Sequence, residues 1–154
     1  MEPVSIRLAH AGDVEALAQN HRAMALETEG KTLDRETTIQ GTRAVIEDAA
    51  KGFYLVAERE GVTVGQLLVT FEWSDWRNGM FWWIQSVFVA EGARRTGVYR
   101  ALHDHVLGKA RADKGVCGVR LYVDKENHRA QATYAAMGMH AAHYDVYEID
   151  FVLG

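Results

Sequence analysis

The stretch Gln85-Ser86-Val87-Phe88-Val89-Ala90-Glu91-Gly92-Ala93-Arg94-Arg95-Thr96-Gly97-Val98-Tyr99-Arg100-Ala101-Leu102 runs from an apolar strand pattern into a basic, glycine-containing loop and straight on into a helix. Val98, Leu102, Val106 and Ala110 recur at four-residue spacing and mark one stripe of that helix, which ends by Lys114-Gly115. The first backbone N–H groups of a helix have no internal partners, and the helix dipole places partial positive charge at that end. Such a segment makes an anion site: successive amides donate, Gly97 lets the backbone approach, and the flanking arginines Arg94, Arg95 and Arg100 add charge. Read alone, it fits a solvated, charged helix start equally well.

Working outward, Ser5 to Leu8 reads as a short strand, and Val14, Leu17, Ala18, His21 and Ala25 fall on one side of a helix. The polar run Thr28 to Asp34 breaks that pattern, and a second helix is expected from Asp34 or Arg35 to Asp48, with Asp34 as its N-cap. Phe53 to Glu58 and Val62 to Trp73 are rich in β-branched and aromatic residues around Glu60-Gly61, a hairpin signature, and Phe81 to Val89 adds a third adjacent strand. Beyond the long helix, Val119 to Val123 reads as a strand, Arg129 to Met137 as a short helix stopped by Gly138, and Tyr144 to Leu153 as the last strand region. Helices on both sides of a hairpin in this order indicate an α/β or α+β sheet with helices packed on it.

The 154 residues suit one compact domain, 1–154, with no linker, repeat or low-complexity segment. Hydrophobic residues at 48% and charged residues at 25% give a globular balance. A net charge of −4 with scattered basic residues argues against nucleic-acid binding as the main role, which needs a face able to neutralise many phosphates. The single cysteine, Cys117, excludes an intramolecular disulfide and a Cys-rich zinc site. The N-terminus lacks a signal-peptide pattern and no apolar run approaches a membrane span, so a cytoplasmic protein without membrane partners is expected. His103 and His105 point to different sides of their helix, and His140 and His143 lack a cysteine partner, so no metal is expected. The Gly97 loop matches neither a Walker nor a dinucleotide fingerprint.

The Arg94 to Tyr99 loop resembles the pyrophosphate loop of the GNAT acetyltransferases, which reads Arg or Gln, two residues, Gly, one residue, then Gly or Ala. Arg94 and Gly97 match, and Tyr99 stands where the pattern has Gly or Ala. Asn127-His128-Arg129-Ala130-Gln131-Ala132-Thr133-Tyr134-Ala135-Ala136-Met137-Gly138-Met139 is similar to the family's second motif: Asn, two residues, Ala, three residues, Tyr, three residues, Gly, then a large apolar residue. Both motifs in the right order, one helix and one strand apart, extend the resemblance over nearly the whole chain. It implies an α/β (α+β) GNAT fold, a mixed, mostly antiparallel sheet of about six to seven strands with about four helices, two of the strands splayed to hold coenzyme A.

What the resemblance implies is acetyl transfer from acetyl-CoA to an amine. Backbone groups of Val87, Phe88 and Val89 would contact pantetheine, whose amides can satisfy splayed strand edges. Arg94, Arg95, Thr96, Gly97, Val98, Tyr99 and Arg100 would form the pyrophosphate loop. Asn127 would bond the coenzyme arm, or act as a plain N-cap, and Ala130 is small enough to let it pass. Tyr134 matches the family's general acid, able to donate to the leaving thiolate, and otherwise reads as a core tyrosine. A non-catalytic acyl-CoA-binding module is the alternative of another class.

No general base is visible. Gln85 stands near where many family members carry a glutamate, and Glu27, Glu29, Glu72 and Asp75 are carboxylates able to line an acceptor side. All four tryptophans, Trp73, Trp76, Trp82 and Trp83, fall close together. The segment loosely resembles that of diamine and polyamine acetyltransferases, and aromatic faces with carboxylates suit a small cationic amine. The same aromatics suit a core on one side and a dimer or helix interface on the other, a homodimer is expected by analogy, and antibiotics, amino acids or protein amines are the other acceptors.

Overall fold

The computed structural model describes residues 2–154. They fall into two compact units, one through Tyr122 and one from Val123 to Gly154. The first holds β1 (Ser5–Leu8), α1 (Val14–Glu29), α2 (Arg35–Glu47), β2 (Phe53–Arg59), β3 (Val62–Ser74), β4 (Gly79–Val89), α3 (Val98–Ala112) and β5 (Val116–Leu121). The second holds α4 (His128–Ala136).

Local chemistry sets many of these boundaries. Asp34 caps α2, its carboxylate accepting from the Thr37 amide at 2.9 Å. Gly30 ends α1 in a left-handed conformation at φ 64°. Glu60 and Gly61 both have positive φ, 53° and 75°, which suits a two-residue hairpin turn between β2 and β3.

The strands lie in sequence order, β1-β2-β3-β4-β5. The first three pairings are antiparallel and β4–β5 is parallel. A parallel pair needs a crossover, and α3 supplies it. Leu55, Leu67, Val69 and Ile84 from the sheet meet Val98, Leu102 and Val106 from α3 in the main core. On another face Leu17 of α1 packs with Tyr54 and Val56. Polar ties fix α1 in place: buried Gln66 donates to the Leu17 carbonyl at 3.2 Å and accepts from Asn20 at 2.7 Å, and the Tyr54 hydroxyl lies 2.8 Å from His21 Nε2.

Two expectations need correction. The sheet has five strands among the described residues, not six to seven, because Tyr144 to Leu153 is exposed and carries no strand. A strand needs a neighbouring ladder, and here the Asp150 carboxylate accepts from the Val152 and Leu153 amides, both at 2.8 Å, bending the chain locally. The fifth strand also lies earlier than Val119 to Val123, at Val116–Leu121. Its Gly118 faces the Phe81 ring, where an added Cβ would come within 2.5 Å, so packing rather than strand propensity selects that residue.

The tryptophans divide by position. Trp82 packs edge-on to Phe53 with ring centroids 5.2 Å apart, and Trp83 lies against Tyr122 at 4.4 Å. Trp73 and Trp76, toward the tip of the β3–β4 hairpin, are exposed.

Candidate functional site

The donor side is built where β4 leaves β5. The parallel ladder runs from Met80–Val116 to Ile84–Leu121, whereas β4 continues to Val89. Gln85 to Val89 therefore lie beyond the β5 pairing while remaining tied to β3. On that β3 side, Gln85 pairs with Leu68 and Phe88 with Gln66, so Ser86 and Val87 together oppose Leu67. This is a β-bulge, and Ser86 within it takes a left-handed φ of 50°. The bulge turns the end of β4 away from the regular ladder and leaves Val87 and Val89 packed against the main core.

From Val89 the chain makes a tight turn at Glu91–Ala93 and enters the basic loop. Arg95 (φ 64°) and Gly97 (φ 88°) are both left-handed, which curls the loop into the first turn of α3. Gly97 is the N-cap, no side chain caps the helix, and an added Cβ at Gly97 would meet nothing within 4 Å. The Thr96 hydroxyl is turned back into the loop, donating to the Ala93 carbonyl at 2.5 Å and accepting from Arg59 at 2.9 Å. No side-chain oxygen caps the opening turn of α3 and the space around a Cβ at Gly97 is open, which suits an acidic group with several acceptor oxygens. Behind them the helix is pinned: an added Cβ at Gly65 of β3 would come within 2.8 Å of Val98.

The arginines play separate parts. Arg94 forms a two-point ion pair with Glu27 at 2.8 and 3.0 Å and donates through Nε to the Val89 carbonyl at 3.0 Å. It bolts the end of α1 to the end of β4, and its guanidinium holds the Glu27 carboxyl below the usual carboxylate range. Arg100 pairs with Asp104 along α3 at 3.3 Å, and Arg95 is exposed beside the helix mouth. Tyr99 is half-buried, its ring stacked 6.1 Å from that of His103.

Several acceptor-side candidates are engaged elsewhere. Glu72 accepts from Arg120 at 2.7 Å, and that guanidinium lies 3.7 Å over the Phe81 ring. Gln85 donates to the Thr70 hydroxyl at 2.5 Å, across the strand pair. Glu29 is exposed at the last position of α1, and Asp75 and Trp76 are exposed at the hairpin tip. The structure therefore does not gather these residues around one pocket.

In the second unit, Asn127 caps α4, its side-chain oxygen accepting from the Ala130 amide at 3.1 Å. Tyr134 is half-buried four residues beyond Ala130, and the Met139 amide donates to the Tyr134 carbonyl at 3.0 Å as Gly138 (φ 90°) ends the helix. Among the described residues no cluster of His, Cys, Asp or Glu is arranged to hold a metal, and no helix is long and apolar enough to cross a membrane.

Sequence reasoning missed Arg59, which braces Thr96, and the Glu27–Arg94 pairing. Partners 37 and 67 residues apart leave no local pattern to read.

The Acetyltransferase (GNAT) family model matches residues 15–139. A solved structure described as a possible acetyltransferase from Clostridium difficile 630 is 40% identical, with a TM-score of 0.90 covering 98% of this chain and 99% of that one. A ribosomal-protein-alanine N-acetyltransferase from Brucella melitensis biovar Abortus 2308 shares the fold at 19% identity, with a TM-score of 0.77 covering 97% of this chain and 99% of that one. A glucosamine-6-phosphate N-acetyltransferase from Arabidopsis thaliana does so at 18% identity, with a TM-score of 0.73 covering 96% and 99%. Comparison with curated protein sequences gives no match. With the bulged β4, the open mouth of α3 and a family match over most of its length, the chain belongs to the GNAT family of acyl-CoA-dependent acetyltransferases.

Proposed function

We propose that this chain acts as a single cytoplasmic domain that transfers an acetyl group from acetyl-CoA to the primary amine of a small, cationic molecule within a ternary complex. The observation that carries the donor half is the uncapped first turn of α3 behind Gly97, next to the β4 segment that runs past its β5 ladder. Amides of Val98, Tyr99 and Arg100 suit a diphosphate, and the backbone of Val87 to Val89 suits the amides of pantetheine, although the Val89 carbonyl is shared with Arg94. Arg95 supplies charge at the helix mouth.

In the proposed reaction the amine lone pair attacks the thioester carbonyl carbon, the C–N bond forms, the C–S bond breaks, and the Tyr134 hydroxyl gives its proton to the departing sulfur. The ammonium first gives one proton to water to expose its lone pair, the nitrogen loses a second as the amide forms, and the Tyr134 phenolate regains its proton from water. Water suits this role because Glu27 and Glu72 are held by arginines and Gln85 is not a base. Asn127 sets the start of the helix that carries Tyr134. An aromatic face beside a carboxylate, as Trp76 and Asp75 stand in the β3–β4 turn, suits an amine that is itself cationic, a polyamine or a simpler diamine.

The engaged carboxylates also favour a second reading, a module that binds acyl-CoA without turnover. Thiol release from acetyl-CoA in the presence of mixed amines separates the two. Release that depends on an amine supports transfer, and coenzyme binding without release against every amine supports the module. If spermidine, spermine and diamines all remain unmodified while another amine class reacts, the cationic small-molecule assignment is removed.

A further inference from the structure

Arg95 is the strained residue of the loop before α3. Its φ of 64° lies in the left-handed region, where an L-side chain crowds its own backbone, and such a conformation persists only where flanking contacts hold it. Both flanks are held. Downstream, the Thr96 hydroxyl accepts from Arg59 at 2.9 Å and donates to the Ala93 carbonyl, while the Thr96 carbonyl accepts from Arg59 at 3.3 Å. Upstream, Arg94 donates through Nε to the Val89 carbonyl and through both terminal nitrogens to the two carboxylate oxygens of Glu27.

Glu27 stands on a firm base. It lies in the last turn of α1, whose Leu17, Ala18 and Ala25 are buried and whose Leu17 carbonyl and Asn20 side chain are bonded to Gln66 of β3. A planar guanidinium meets a carboxylate at two points, so the pair fixes direction as well as distance. It also balances the charge of Arg94 and leaves the helix mouth to the exposed Arg95.

We propose that Glu27 and Arg94 are positioning residues for the coenzyme: their ion pair holds Arg95 left-handed and so sets the entry into α3, and neither side chain touches the diphosphate. This inference rests on the placing of the diphosphate at the start of α3. The sign of its consequence separates it from plain electrostatics. Glu27 is an acidic group close to a site for an anion, so charge alone has its neutralisation tighten binding. Positioning gives the reverse, because the coenzyme must then order the loop itself.

Calorimetric titration of coenzyme A into the full-length protein reads that sign. Glu27→Gln is expected to weaken binding on the order of two- to fivefold, the size of one exposed ion pair. Glu91→Gln removes a carboxylate that also acts on Arg94 by its charge, and is expected to leave binding equal or slightly tighter. Arg94→Lys keeps the charge without the fork and should weaken binding as Glu27→Gln does, with the double variant no weaker than either alone. Without coenzyme, amide NMR spectra of Glu27→Gln should remain native except near residue 27 and from Arg94 to Gly97. Tighter or equal binding in Glu27→Gln overturns the proposal, as does wild-type affinity in Arg94→Lys, which would make Arg94 a point-charge ligand of the phosphates. A wild type that binds no coenzyme A overturns the placing of the diphosphate and the proposal with it, whereas a wild type that binds beside unaffected variants overturns the proposal alone.

Discussion

Replacing Gly97 by alanine perturbs the donor site while leaving the core untouched. Gly97 sits at φ 88° and ψ 5°, in the left-handed region, where an L-residue costs roughly 1–2 kcal/mol. An added Cβ would meet no atom within 4 Å, so no clash adds to that strain. The strain has two routes to expression. If the bonds from Thr96 to Ala93 and from Arg59 to Thr96 hold the loop, the folded state loses about 1 kcal/mol and melts roughly 2–4 °C lower. If the loop relaxes instead, the coenzyme must restore it, and affinity falls by a factor of about 5–30. In both cases the new methyl group enters open space beside the start of α3. The assay is calorimetric titration of coenzyme A into wild type and Gly97→Ala, alongside thermal melts. Gly108→Ala is the control, since Gly108 lies inside α3 with nothing within 4 Å of an added Cβ. It should stabilise by about 0.5–1 kcal/mol and leave affinity alone. Equal affinity together with an unchanged melting temperature would refute this reasoning about Gly97.

Tyr134→Phe should lower kcat on the order of 10²-fold with the KM for acetyl-CoA little changed, and an unaltered kcat in steady-state assays would remove its role as acid. Gln66→Met, which strips a buried side chain of its bonds to Leu17 and Asn20, should cost about 1–3 kcal/mol in urea unfolding. Burial pushes the His21 imidazole below its ordinary 6.5, so the unfolded chain takes up that proton first as pH falls. Stability is therefore complete above pH 6.5 and declines as pH drops toward the lowered folded value, and His21→Gln should flatten part of that decline in pH-dependent melts. The Glu27 carboxyl, lowered by its bond to Arg94, should keep the ion pair down to a pH below the usual carboxylate range. NMR titration of its side chain should follow that midpoint, and Arg94→Gln should bring it back up.

What could be read from the sequence was what neighbouring residues decide among themselves. The Asp34 cap, the Glu60-Gly61 turn and the strand, loop and helix from Gln85 to Leu102 are each written within a few positions, and the structure follows them. Interactions across the chain were not legible. Gly118 belongs to β5 because the Phe81 ring fills the space where a side chain would stand, and nothing near Gly118 announces that ring. The same holds for Glu27, read as an acceptor-side carboxylate and found holding Arg94 from a distant helix. Tyr144 to Leu153 shows the opposite case. Its alternation is plain, but a strand is a property of a pair, and alternation does not say who the neighbour is.

The account rests on the first amides of α3 receiving a diphosphate, and an amide NMR spectrum titrated with coenzyme A tests this most directly. The account predicts saturable shifts centred on Gly97, Val98, Tyr99 and Arg100, with smaller ones at Val87 to Val89. A spectrum unmoved at millimolar coenzyme A, or shifts that leave the start of α3 untouched, would contradict it.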